Sequence, residues 1–161
     1  DFDLKNHTKH SGEDLTYLDP ETQEKISPHV VEPTFGVNRT LLVLLLDAYK
    51  EDGDRKYLAL HPSIAPYKAA VFPLVGNKDE IVGKAREVYD SLKTSMPTAW
   101  DQRGNIGKRY YAQDEIGTPY CITVDYQTLE DGTVTVRDRD TAKQERINID
   151  KLKEHLQTKL Q

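Results

Sequence analysis

From Gly36 to Lys50 the chain reads as a helix with almost no polar side. Val37, Leu41, Leu42, Val43, Leu44, Leu45, Leu46 and Ala48 point in nearly every direction around it. A helix coated in this way is buried on most sides in its working state. The residues before it are polar and turn-rich and cannot enclose it, so it must pack against a sheet that is largely missing here. The run from Leu41 to Leu46 is far too short to span a bilayer. The chain begins at Asp1 rather than Met, in a polar stretch with no apolar leader core, so it is expected to be a piece of something longer.

The residues just before this helix carry the chemistry. Residues 28–46 read PHVVEPTFGVNRTLLVLLL. His29 to Val31 is expected to form a strand ending at Glu32, followed by Pro33, Thr34, a turn at Gly36 and Arg39 in the first helical turn. A helix N-terminus offers unpaired N–H groups and the positive end of its dipole, which together favour an anion. Arg39 adds a planar fork that can grip a phosphate in two places. Glu32 supplies the complement, an acceptor for an ammonium group. The bland alternative is an ion pair between Glu32 and Arg39 that orders the helix start.

Charge narrows the partners. The formal net charge is -5, and all of the excess lies in residues 1–65, with 7 Lys+Arg against 12 Asp+Glu; residues 66–161 carry 15 of each. Such a chain is not a general coat for nucleic-acid backbones. If it meets RNA, it reads a few bases. Cys121 is the one cysteine, which excludes an internal disulfide and suits a reducing, cytoplasmic setting. It lies in an apolar stretch and reads as a core residue. His7, His10 and His29 have no cysteine nearby. His7 and His10 would share a face only on a helix, and the stretch reads as a loop, so no protein-bound metal is expected. Asn38-Arg39-Thr40 matches a glycosylation sequon by coincidence, since a sugar there would occupy the anion site.

The segment His61-Pro62-Ser63-Ile64-Ala65-Pro66 reads as a linker, because proline at both ends opposes a helix. The domain boundary is placed there, giving domains 1–60 and 61–161. The second domain alternates element types. Strands are expected at Tyr67 to Leu74, Thr98 to Asp101, Tyr120 to Asp125, Thr133 to Arg137 and Arg146 to Ile149. Helices are expected at Asp79 to Ser95, Ile106 to Ile116 (closed by Gly117 and Pro119) and Asp150 to Leu160. In the first part, Tyr17 and Leu18 and residues Tyr57 to Leu60 read as short strands, and Glu51 to Arg55 as a charged turn that stops the apolar helix. The order in the second domain implies an α/β fold with a mixed sheet and three flanking helices.

Several stretches together resemble glycyl-tRNA synthetase, of the class II aminoacyl-tRNA synthetases. Glu32-Pro33-Thr34-Phe35-Gly36-Val37-Asn38-Arg39 is similar to that family's third signature motif, E-P-S-x-G-x-x-R. The likeness continues in KHSGEDLTYLD at Lys9 to Asp19, in IGKRYYAQDEIGTPYCITVD at Ile106 to Asp125 and in TVTVRDRDT at Thr133 to Thr141. It implies the last strand and helix of a class II catalytic domain, which is built on an antiparallel sheet, followed by the α/β anticodon-binding domain shared with the prolyl, threonyl and histidyl enzymes. It implies activation of glycine with ATP and Mg2+ and transfer to tRNA(Gly), by a cytoplasmic enzyme that is a homodimer. Carried over by position, Glu32 binds the glycine amine, Thr34 and Gly36 line the substrate site, and Arg39 holds the ATP γ-phosphate. Thr34 departs from the usual serine: the hydroxyl is kept, and the added methyl narrows a pocket meant for the smallest amino acid. Asn38 stands where many relatives have glycine. The family's first two motifs are absent, so this piece is expected to be inactive alone.

For the anticodon, Asp101, Arg109, Arg137 and Arg139 are the candidate readers, in a region that also holds Trp100, Arg103 and Lys108. Arginine contacts guanine edges and phosphates, and Asp accepts from a cytosine amino group; a glycine anticodon ends in C-C. The bland alternative is a solvated salt-bridge ladder along Arg137-Asp138-Arg139-Asp140. Two rivals remain at this level: a non-catalytic synthetase-like nucleic-acid-binding or polymerase accessory protein, disfavoured by Glu32 and Arg39 in register, and a prolyl- or threonyl-type enzyme, disfavoured by E-P-T-F-G and by the lack of zinc ligands.

Overall fold

The computed structural model describes residues 1–29 and 31–160. Its internal contacts divide it into two units, Asp1–Val37 and Asn38–Gln161.

The first unit opens with a helix, α1 (Phe2–Ser11), where a loop was expected. None of its residues is buried, so it carries no apolar period for the sequence to reveal. Local electrostatics hold it instead. Lys5 pairs with Asp1 one turn back, Lys9 and His10 sit at the negative end of the dipole, and Gly12 closes it at φ 77°. His7 and His10 are therefore helical, yet no group of three or more His, Cys, Asp or Glu is arranged to hold a metal ion among the described residues. Two short strands, β1 (Tyr17–Leu18) and β2 (Lys25–Ile26), pair antiparallel. Asp19 turns the chain between them by accepting from the Glu21 amide at 2.8 Å, and Asp14 pairs with Lys25 at 2.8 Å. The strand expected at His29 to Val31 is not formed at His29 or Val31, and Val30 lies outside the described residues. A strand needs a neighbour to take its hydrogen bonds, and none pairs with this stretch among the described residues.

The second unit takes in all but the first residue of the apolar helix, α2 (Val37–Ala48). Ala48 is its one buried residue, while Leu41, Leu42, Val43 and Leu46 are each more than half exposed. It runs straight into an antiparallel hairpin, β3 (Tyr49–Asp52) and β4 (Arg55–Leu58), with Asp52 opposite Arg55 and Gly53 at φ 59° in the turn. The charged segment Glu51 to Arg55 thus does more than stop the helix: it is the tip of a hairpin.

A five-stranded mixed sheet follows, in the order β6-β5-β7-β8-β9. The three parallel strands are β5 (Ala69–Pro73), β6 (Thr98–Trp100) and β7 (Tyr120–Val124), while β8 (Thr133–Asp138) and β9 (Gln144–Asn148) continue antiparallel. Parallel neighbours need crossovers, supplied by α3 (Asp79–Lys93) and α4 (Ile106–Ile116). The last helix, α6 (Ile149–Lys159), starts from an Asn148 side chain that accepts from the Asp150 amide. A fourth helix, α5 (Tyr126–Asp131), occupies what read as a plain turn; it is set by a capping box between Asp125 and Thr128. Six residues are too few to display a helical period.

Alternation along β5 builds two cores. Ala69 and Val71 face Ile81, Ala85, Val88 and Leu92 of α3 and Leu152 and Leu156 of α6. Ala70 and Phe72 face Cys121 and, from α4, Ile106 and Tyr110. Each large side chain so buried contributes roughly 1.5–3 kcal/mol. Among the described residues no helix is long and apolar enough to cross a membrane.

Candidate functional site

Glu32, Pro33, Thr34, Phe35 and Gly36 form an exposed segment without regular structure. The Thr34 hydroxyl reaches the Glu32 carbonyl only at 3.5 Å, so both side chains are left available. Arg39 is exposed in the first turn of α2, beside amides that no helical carbonyl can satisfy. Glu32 and Arg39 are both exposed in this chain.

The C-terminal ends of the parallel strands converge on a second polar surface. Open α/β sheets bind ligands in this place, where successive crossovers leave in opposite directions. Here β5 lies between β6 and β7. Asp101 follows β6 directly; its Oδ1 accepts from the Arg103 amide at 2.9 Å and from Arg103 Nε at 3.3 Å. Its carboxyl lies below the usual range: burial pushes it up, and the two Arg103 bonds and the nearby Arg109 charge outweigh that. The Arg103 side chain is 91% exposed. Trp100 is half-buried, with the Arg86 guanidinium 4.0 Å from its ring centre and Tyr89 edge-on at 5.7 Å. Gly76 passes so close that an added Cβ would lie 2.8 Å from the Gln102 carbonyl oxygen.

The other three candidate readers do not face solvent. Arg109 is 2% exposed and donates to the carbonyls of Pro73, Arg103 (3.1 Å) and Gly104 (2.8 Å). Its guanidinium ties the loop after β6 to the end of β5. Arg137 grips Asp114 with two nitrogens, at 2.9 and 3.1 Å. Arg139 donates to the Gly117 carbonyl at 2.7 Å and to both oxygens of Asp140. The expectation of an RNA-facing row fails for a physical reason: the chain's own acceptors already occupy these donors. Of the solvated ladder only the Arg139–Asp140 rung is present, since Arg137 turns inward to Asp114 and Asp138 caps the turn at Thr141.

Asp114 was not anticipated. It is fully buried and also takes Arg55 Nε at 2.7 Å. An Asp beside Glu115 in a weakly patterned helix gives no signal of this; only two partners distant in sequence reveal it. Lys68 was equally silent. Its ammonium donates to the carbonyls of Pro62, Ser63 (3.0 Å) and Ala65 (2.9 Å), which pins the segment read as a linker.

A doubly crossed-over mixed sheet with a polar crevice at its strand ends defines a class. Residues 68–159 match the family model described as anticodon binding domain, and the chain belongs to that family. Over its whole length it is similar to glycine–tRNA ligases: 52% identical to that of Clostridium tetani over 100% of the chain, 51% identical to that of Clostridium acetobutylicum over 99%, and 49% identical to that of Caldanaerobacter subterraneus over 99%. In each case the chain spans 35% of the relative's length.

Proposed function

We propose that this chain is the C-terminal part of a glycine–tRNA ligase, with residues 1–60 belonging to the catalytic domain and residues 61–161 to the anticodon reader. The observation that carries this reading is identity of about half over essentially the whole chain to three enzymes of that name. The exposed leucines of α2 support it independently, since they call for a covering sheet that the rest of a catalytic domain would provide. The alternative of a non-catalytic accessory protein has no such support.

In the proposed reaction the glycine carboxylate attacks the α-phosphorus of ATP and the bond to pyrophosphate breaks. The glycyl group then passes to tRNA(Gly), and AMP leaves. Glu32 accepts hydrogen bonds from the glycine ammonium, and Thr34 and Gly36 border a pocket with no room for a side chain. Arg39 binds the γ-phosphate and stabilises the charge that builds on the departing pyrophosphate. Magnesium enters with ATP as part of the substrate, on carboxylates lying mainly outside this chain. The chain alone lacks the rest of this site and is expected not to charge tRNA. The whole enzyme would be a cytoplasmic homodimer.

Anticodon reading is proposed at the strand-end crevice. Asp101 and Arg103 present an acceptor and a cation to the bases, and Trp100 offers a stacking face once Arg86 moves aside. Arg109, Arg137 and Arg139 act from inside, by holding this surface in shape. Fluorescence anisotropy with a tRNA(Gly) transcript and an anticodon-changed transcript, at two salt concentrations, tests the reading. Preference for the native anticodon at both concentrations is expected. Equal binding that fades with salt would reduce the interaction to phosphate contacts and overturn it.

A further inference from the structure

The sheet has a second polar end. Where β7 begins, away from the strand-end crevice, a cavity of about 340 Å³ opens between the last turn of α6 and the turn from β8 to β9. Tyr120, the first residue of β7, lines it and is only 8% exposed. Its hydroxyl has no hydrogen-bond partner among the described residues, yet it is not sealed from solvent. A buried phenol usually finds a partner, so this one is open to a partner from outside. Burial raises its pKa, and the charges of Asp138 and Asp140 add to that. The phenol therefore keeps its proton and donates.

The charges around this hydroxyl come in both signs. Asp138 stands directly across from Tyr120, and its amide donates to the Lys143 carbonyl at 2.9 Å. Asp138 Oδ1 takes the amide and the hydroxyl of Thr141, both at 2.8 Å; Oδ2 has no partner among the described residues. Glu145 meets His155 of α6 at 3.1 Å through one oxygen and leaves the other. Lys143 and Lys159 line the same cavity and have no ion-pair partner among the described residues. Val136, 2% exposed, supplies an apolar floor. A simple anion here would meet two carboxylates, and a simple cation two ammonium groups. A molecule that carries both charges satisfies each set, because unpaired charge in a partly buried site is costly.

We propose that this cavity binds a small zwitterion, an α-amino acid with an apolar side chain. Tyr120, Lys143 and Lys159 donate to its carboxylate, Asp138 and Glu145 accept from its ammonium group, and Val136 receives its side chain. The hairpin that follows α2 is fastened to the other side of the sheet, through Asp114 of α4, whereas Tyr120 and Val136 lie on the side of α3 and α6.

Calorimetric titration of the full-length protein with L-leucine tests this. Isocaproate and isoamylamine are the comparison probes: each keeps the leucine side chain, the first without the ammonium group and the second without the carboxylate. Leucine is too large for the glycine pocket proposed at Glu32 to Gly36. Leucine is expected to bind roughly 10-fold or more tightly than either probe, the scale of one charged hydrogen-bonding group left unmet. Tyr120→Phe removes only a hydroxyl that holds nothing inside the protein, so its melting temperature should match the parent while leucine affinity falls roughly 10-fold. Lys143→Met should weaken leucine by a similar factor. Absence of leucine binding overturns the proposal, as does either probe binding as tightly as leucine. Leucine binding that survives both substitutions unchanged would place the ligand elsewhere and overturn it too.

Discussion

Arg55 Nε meets Asp114 Oδ2 at 2.7 Å across 59 positions of sequence, with both side chains nearly or fully out of solvent. This pair joins the hairpin after the apolar helix to the first core helix of the opposite sheet face. Its guanidinium is held above the ordinary arginine pKa, chiefly by the hydrogen bond to Asp114. Asp114→Ala would leave Arg55 and Arg137 as two buried cations without their shared anion. Losing one member of a buried pair costs roughly 3–5 kcal/mol, and a urea midpoint lowered accordingly is the expected outcome. A midpoint within error of the parent would mean that water replaces the carboxylate.

Gly117 stands at φ 86°, where it ends α4, and a Cβ there would come within 2.8 Å of Leu60 Cδ1 and 3.0 Å of the Leu58 carbonyl oxygen. Gly117→Ala therefore meets both backbone strain and a clash with the hairpin. The expected loss is roughly 1–3 kcal/mol, read from thermal unfolding. Gly132→Ala is the control: it has φ 67° with nothing within 4 Å of the added atom, so it should lose only the strain component.

Cys121 is buried between β5 and β8, and burial pushes its thiol up to about 12. The native protein should resist thiol reagents at pH 8 and react fully in urea. Unfolded, the thiol ionises near its ordinary 9; folded, it keeps its proton. The stabilisation is complete below pH 9 and is lost as pH rises from 9 towards 12, because the unfolded state then binds fewer protons. Cys121→Ala should flatten that part of the stability profile, followed by denaturant titration at several pH values.

Arg39 is exposed, so its replacement should leave stability within about 0.5 kcal/mol. In the full-length enzyme Arg39→Ala is expected to slow ATP–pyrophosphate exchange by roughly 100- to 1,000-fold, the scale of one lost donor to a transition-state charge. Arg39→Lys should recover little, because an ammonium cannot form the two-point contact. Normal exchange in Arg39→Ala would remove the phosphate role.

Arg103 and Arg137 should part company. Arg103→Ala is expected to weaken binding of native tRNA(Gly) by roughly 1–3 kcal/mol without changing the melting temperature, as for loss of a base contact. Arg137→Ala should act through stability, with tRNA affinity falling only as the folded fraction falls. The reverse pattern in anisotropy and unfolding would place the reader on β8.

Much of this architecture was legible in the chain itself. The apolar positions of Asp79 to Lys93 repeat at helical spacing, Gly117 followed by Pro119 marks a stop, and β5 and β7 are apolar runs interrupted only by Thr123. These signals survive because each arises within one element. The polar α1 and the six-residue α5 left no such trace, since end charges and a capping box hold them rather than a buried face.

The sequence by itself determined the order of the main strands and helices of the five-stranded sheet domain and the need of α2 for a cover. Only the tertiary structure decided which arginines are free. Arg103 and Arg137 are the same residue type in similarly charged surroundings, yet one is exposed and the other is locked on Asp114. Whether a guanidinium greets solvent or a buried carboxylate depends on partners that approach from distant positions in the chain, and no local pattern of residues encodes that approach.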